Sequence, residues 1–153
     1  MPLLEVDSLR INLLTQRGRA DAVRGLGFSL DQGETLGLIG ESGCGKSITA
    51  MALLGLLPEG SQVSGSIRFG GRELVGMSDR ELCAIRGNRI GMIFQEPMSA
   101  LNPVHSIGRQ VAEPLRLHRG LPAEEANKQA LALLERVGIP DATRRFDAYP
   151  HQF

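Results

Sequence analysis

The chain has 153 residues, enough for one well-buried core. Its 17 Lys and Arg balance its 17 Asp and Glu, so no net field steers it towards nucleic acid or an acidic lipid surface. Only Cys44 and Cys83 are cysteines, one in a loop and one in a predicted helix, which argues against a structural disulfide and fits a reducing compartment.

The start, Met1-Pro2-Leu3-Leu4-Glu5-Val6-Asp7, has neither a basic n-region nor a continuous apolar core, so it does not read as a signal peptide. Leu4 and Val6, then Leu9, Ile11 and Leu13, nearly alternate and predict an N-terminal strand. Polar Thr15 to Asp21 predicts a loop. Leu26, Phe28 and Leu30 predict a second strand, closed by an Asp31-Gln32-Gly33 turn. Glu34 to Ile39 reads as a short buried strand. It leads into Gly40-Glu41-Ser42-Gly43-Cys44-Gly45-Lys46-Ser47, and a helix is predicted from Ser47 to Leu57, stopped by Pro58 and Gly60. The longest apolar run, Ala50 to Leu57, is far short of the roughly 20 residues a membrane-spanning helix needs.

The segment from Gly40 to Ser47 fits G-x-x-x-x-G-K-[ST] without a gap, with a predicted strand before it and a helix after it. Such a loop curls backbone N–H groups around phosphates at the positive end of its helix. Glycines at 40, 43 and 45 let the backbone approach a ligand. Lys46 then reaches the terminal phosphates as a point charge, and Ser47 offers its hydroxyl to Mg²⁺. Cys44 beside Lys46 at a helix N-terminus favours the thiolate; the plainer reading is a small side chain filling a free position. The alternative to phosphate binding is a chance glycine-rich turn, which the flanking elements disfavour.

Further along, Val63 to Phe69 predicts a strand and Gly70-Gly71 a turn. Ser78 with Glu81 three residues on is a capping-box pattern, so a short helix is expected from Asp79. Ile90 to Phe94 reads as a strand that delivers Gln95 at its C-terminal end. Pro97, Asn102 and Pro103 break the backbone into a loop. From Pro122 the pattern is helical: Ala126, Ala130, Leu133, Leu134 and Val137 share a face, Pro122 suits the first turn and Gly138 the stop. Strands mixed with helices imply an α/β core with an antiparallel β portion.

Three features together resemble the ATP-binding-cassette transporter ATPases. They are the loop Gly40–Ser47, the run Ile93-Phe94-Gln95-Glu96-Pro97, which is similar to the family's Q-loop, and the ending Tyr149-Pro150-His151-Gln152-Phe153, which in the family runs into a Ser-Gly-Gly signature. The run from Gln95 to Pro103, with Ala112-Glu113-Pro114-Leu115 and Ala148 to Gln152, resembles the oligopeptide and dipeptide importers; related nickel or glutathione importers share the pattern.

The resemblance implies a P-loop NTPase core with an antiparallel β portion and the start of a helical subdomain. Residues 1–153 would be the N-terminal part of one nucleotide-binding domain, with 1–95 a β-rich phosphate-loop core and 96–153 the Q-loop and start of the helical part. ATP and Mg²⁺ are the implied ligands. Gly40, Glu41, Ser42, Gly43, Cys44, Gly45, Lys46, Ser47 and Ile48 would hold the nucleotide, Lys46 and Gln95 would serve catalysis, and Ser47 and Gln95 would contact the metal. Chemically, an amide such as Gln95 supplies an acceptor for Mg²⁺ and donors for water or γ-phosphate; a solvated surface amide is the bland alternative.

The implied partners are membrane-spanning permease subunits, a second ATPase subunit (homo- or heterodimer) and, indirectly, an extracytoplasmic substrate-binding protein, at the cytoplasmic face of the membrane. No nucleic acid is implied. Met98, Leu101, Val104 and Ile107 would give the stretch after Gln95 apolar side chains to present to the permease, or else pack into their own domain.

Two departures bear on function. The family's signature, Walker B aspartate, catalytic glutamate and switch histidine have no counterpart up to Phe153; His105, His118 and His151 do not replace the last. The chain is therefore expected to be incomplete, binding nucleotide weakly and hydrolysing it negligibly by itself. Arg17 to Asp21 lacks the aromatic on which many relatives stack adenine, and Ile48 stands where many carry Thr. A soluble P-loop kinase or GTPase and a non-catalytic binding module are the competing readings.

Overall fold

The computed structural model describes residues 1–95 and 100–153, in two units, Met1–Arg86 and Gly87–Phe153. The first is built on an antiparallel sheet. Strand β1 (Leu4–Thr15) pairs with β2 (Gly18–Leu30) on one side and β3 (Gln62–Phe69) on the other, and β3 pairs with the short β4 (Arg72–Glu73), giving the order β2-β1-β3-β4. The slip from Leu4 and Val6 to Leu9 and Ile11 is a bulge. Ser8 has φ 49°, the register shifts on both sides of β1, and the apolar side chains before and after it reach the same face. Val6, Leu9, Ile11 and Ile67 are buried there.

Helix α1 (Lys46–Leu53) ends four residues earlier than expected. Gly55 takes φ 61°, and the Gly55 and Leu56 amides donate to the Ala52 and Met51 carbonyls, a Schellman stop. A Cβ at Gly55 would also lie 2.5 Å from the end of the Leu82 side chain of α2 (Asp79–Cys83), which would have to shift, so glycine suits the turn. Ser78 and Glu81 form the expected capping box at the start of α2. Arg86 Nε donates to the Leu54 carbonyl at 2.7 Å and its Nη1 to Asp79 at 2.7 Å, tying α2 to the end of α1.

Other sequence expectations are corrected. The predicted loop Thr15 to Asp21 is mostly ladder: Leu13 faces Ala20, Leu14 faces Arg19, and only Gln16 and Arg17 turn. Its polar side chains bond across the strands, Asn12 Nδ2 to Asp21 and Arg19 Nη1 to Asn12, so polarity did not exclude a strand. The predicted strand Glu34 to Ile39 is irregular and exposed, with Ile39 at 97%. The predicted strand Ile90 to Phe94 holds at most an isolated bridge at Ile90, and Ile93 is 98% exposed. Among the described residues neither segment has a ladder along which to pair its backbone.

The second unit is helical. Helix α3 (Ile107–Arg119) was not foreseen; Pro114 lies in its interior but on the exposed side, where water is at hand for the carbonyl it leaves without a donor. Helix α4 (Ala123–Arg136) runs as the pattern predicted, except that Pro122 caps it from outside. Ala126, Ala130 and Leu134 are buried while Leu133 and Val137 are exposed, so the apolar face is narrower than expected. Ala112 of α3 meets Ala126 and Ala130, small side chains that let the helices approach closely. Helix α5 (Ala142–Arg145) closes a second cluster of Ile107, Leu134 and Ala142.

Candidate functional site

The glycine-rich loop from Gly40 to Gly45 precedes α1 and turns its backbone at the mouth of that helix. The first helical hydrogen bond runs from Thr49 N–H to the Gly45 carbonyl at 2.8 Å. The amides of Lys46, Ser47 and Ile48 therefore come before it and have no partner within the helix. No acidic residue occupies the first turn, so nothing on the helix neutralises its positive end. Gly45 must be glycine twice over. Its φ is 94°, and a Cβ would lie 2.7 Å from the Ala22 carbonyl of β2. Thr49 braces the turn from beneath: it is buried, and its hydroxyl donates to the Gly45 carbonyl at 2.9 Å. Sequence reasoning did not single out this bracing role, though the i, i+4 spacing from Gly45 announces it.

Lys46 bends back over the loop. Its Nζ donates to the Gly40 carbonyl at 2.6 Å and the Glu41 carbonyl at 2.8 Å, and lies 3.4 Å from Cys44 Sγ. The ammonium thus hangs over the loop on a long stem, held by the loop's own carbonyls. Cys44 is exposed. Ser47 is exposed too, and its hydroxyl has no partner among the described residues. A cleft of about 560 Å³ opens beside the loop, lined among others by Gly43, Gly45, Lys46, Arg24, Leu38 and Ile39. That volume suits a nucleotide-sized ligand.

The donor set fits a polyphosphate: open amides, one ammonium, no carboxylate in the helix's first turn and room for the backbone to approach. Among the described residues no group of three or more His, Cys, Asp or Glu is placed to hold a metal. Mg²⁺ usually takes one or two protein ligands beside phosphates and water, and Ser47 is a suitable oxygen. Gln95 belongs to the second unit and is exposed. Glu96, Pro97, Met98 and Ser99 lie outside the described residues. Leu101 and Val104 are exposed, whereas Ile107 packs in its own unit. Arg17 to Asp21 form the hairpin turn and the start of β2, exposed and without an aromatic ring.

A family described as ABC transporter matches residues 23–153. A putative peptide import ATP-binding protein of Brucella abortus is 51% identical over 152 residues, covering 99% of this chain and 46% of its own length. The oligopeptide transport ATP-binding protein of Salmonella typhimurium is 46% identical over 151 residues, with 99% and 45% covered. The chain thus spans about half the length of the curated relatives it matches. Among solved structures, a dimeric ATP-binding cassette in a post-hydrolysis state bound to ADP and Pi superposes with a TM-score of 0.80, covering 98% of this chain and 62% of the other at 24% identity. That likeness concerns the fold.

Proposed function

The chain belongs to the ABC transporter family, and from this premise we propose that it is the nucleotide-binding part of an ATPase subunit that energises import of di- or oligopeptides. The names of its relatives support the peptide class. The observation that carries nucleotide binding is the mouth of α1: three amides ahead of the first helical bond, with the Lys46 ammonium held on the Gly40 and Glu41 carbonyls of the loop that precedes it.

In this reading the amides of Lys46, Ser47 and Ile48 and the loop from Gly40 to Gly45 wrap the phosphates of ATP. Lys46 leaves the Gly40 and Glu41 carbonyls to reach the terminal phosphates, which concentrates positive charge where negative charge develops in phosphoryl transfer. Mg²⁺, held by the Ser47 hydroxyl, would neutralise the same charge. Gln95 would sense the terminal phosphate and relay its presence to the segment that follows. A second copy or a related subunit would complete the site across a dimer, and Leu101 and Val104 would face the membrane-spanning subunits at the cytoplasmic side. No helix among the described residues is long and apolar enough to cross a membrane, so the attachment is assigned to those subunits.

The test is Lys46→Ala in the full-length protein, assayed for ATP binding and turnover together with circular dichroism. Binding or turnover should be lost while the helical signal stays. Wild-type turnover would remove Lys46 from its role. Gln95→Ala should impair coupling and catalysis more than nucleotide affinity, and a variant with normal transport would take Gln95 out of the site.

A further inference from the structure

We propose that Gln110 is a positioning residue that locks the corner from Leu101 to His105 onto α3, so that Leu101 and Val104 stand out in a fixed geometry towards the membrane-spanning partner. The lock itself is carried by hydrogen bonds; its consequence for transport rests on the reading, given above, that this corner faces those subunits.

Gln110 spends its whole amide on the corner. Nε2 donates to the Asn102 and His105 carbonyls, both at 2.9 Å, and Oε1 accepts from the Asn102 N–H at 2.8 Å. Asn102 then organises the tip, its Oδ1 accepting from the Val104 N–H at 3.1 Å and its carbonyl from the His105 N–H at 3.3 Å. Each of these five bonds begins or ends on Asn102 or Gln110. The task needs two diverging donors and one acceptor on a side chain of this length. Glutamate keeps only the acceptor, and leucine fills the space with neither.

The platform beneath is also fixed. The first amides of α3, Ile107 and Gly108, donate to the Ala148 and Phe146 carbonyls at 2.9 and 2.8 Å. A Cβ on Gly108 would lie 2.4 Å from the Phe146 ring, so helix and segment are in direct contact. Ile107 is buried at 6% while Val104 is 71% exposed. One apolar residue anchors the helix and the others project. Displacement of the corner would be passed by Gln110 to α3, and by α3 to the segment from Phe146 to Ala148.

The experiment uses the full-length protein with its membrane partners in vesicles. Hydrogen exchange over residues 101–106, ATP-driven transport and KM for ATP are measured in Gln110→Leu, Gln110→Glu and Val104→Glu. In Gln110→Leu, exchange at the corner should rise about tenfold. Transport-coupled turnover should fall at least about fivefold, with KM for ATP unchanged. Gln110→Glu should be intermediate in both, and it carries the test if the leucine variant does not fold. Unchanged exchange in both Gln110 variants overturns the lock. A loosened corner with normal transport, in a protein where Val104→Glu stops transport, overturns the positioning role. Normal transport in Val104→Glu sinks the contact reading of the corner instead, and leaves the lock to be judged by exchange alone.

Discussion

Strand β1 and the segment Glu34 to Ile39 are comparably apolar, yet they end in opposite states. β1 lies between β2 and β3, and Leu9 and Ile11 are fully buried. In the other segment Leu36 and Leu38 are almost half exposed and Ile39 nearly wholly so. Apolar side chains create a demand for burial; a strand forms only where a neighbour takes up its N–H and C=O groups. β1 has two such neighbours, and Glu34 to Ile39 has none among the described residues. The same contrast sets the helices of the second unit, whose backbone bonds are internal, against Ile90 to Phe94.

The most severe way to break this comparison is to cut one side chain from each region. Leu9→Ala should destabilise the 153-residue chain by about 2–5 kcal/mol, because it empties a packed site in the sheet. Ile39→Ala should cost less than about 0.5 kcal/mol, since the side chain already stands in solvent. Urea midpoints of the two variants decide it. Equal losses would mean that the segment before the glycine-rich loop is packed after all.

What was legible in the sequence follows the same division. Devices that act within a few residues were read correctly: the capping box of Ser78 and Glu81 and the Gly138 stop. Each is satisfied by its own neighbourhood. Devices that depend on distant chain were read less well. The β1–β2 hairpin extends through polar residues because Asn12, Arg19 and Asp21 pair across it, which no local pattern states. Helix α3 survives Pro114 because of where that residue faces. The Gln110 lock joins residues eight apart through backbone carbonyls, and a carbonyl leaves no trace in the choice of residue.

The glycine-rich loop stands between the two regimes, and Gly45→Ala probes the join. Locally the variant must hold φ 94° with a Cβ; at long range that Cβ meets the Ala22 carbonyl of β2. A cost of about 1–3 kcal/mol is expected from backbone strain of this kind, together with loss of nucleotide binding in the full-length protein. Asn at this position separates the two causes. It tolerates positive φ better than alanine but carries the same Cβ, so a comparable loss in Gly45→Asn assigns the effect to contact with β2. Recovery in Gly45→Asn assigns it to the dihedral.

The smallest effect concerns the far edge of the sheet, where Glu73 holds the β3–β4 turn. Burial pushes its carboxyl up from 4.5, but the Ser66 hydroxyl and the amides of Ile67, Val75 and Leu74 together outweigh this and leave it lowered. A carboxylate lowered on folding contributes stability that is complete above its unfolded value and fades as pH falls through the folded one. Glu81 is lowered as well, chiefly by the Ser78 hydroxyl and amide, so acid weakens both ends of the segment from β4 to α2. The two are separated by a difference curve. The urea midpoint of wild type minus that of Glu73→Gln should be positive near neutral pH and shrink in acid, where the wild-type carboxyl is protonated. A difference that stays constant through the acid range would mean that Glu73 acts by shape rather than by charge, and that the sheet's edge is held by its ladder alone.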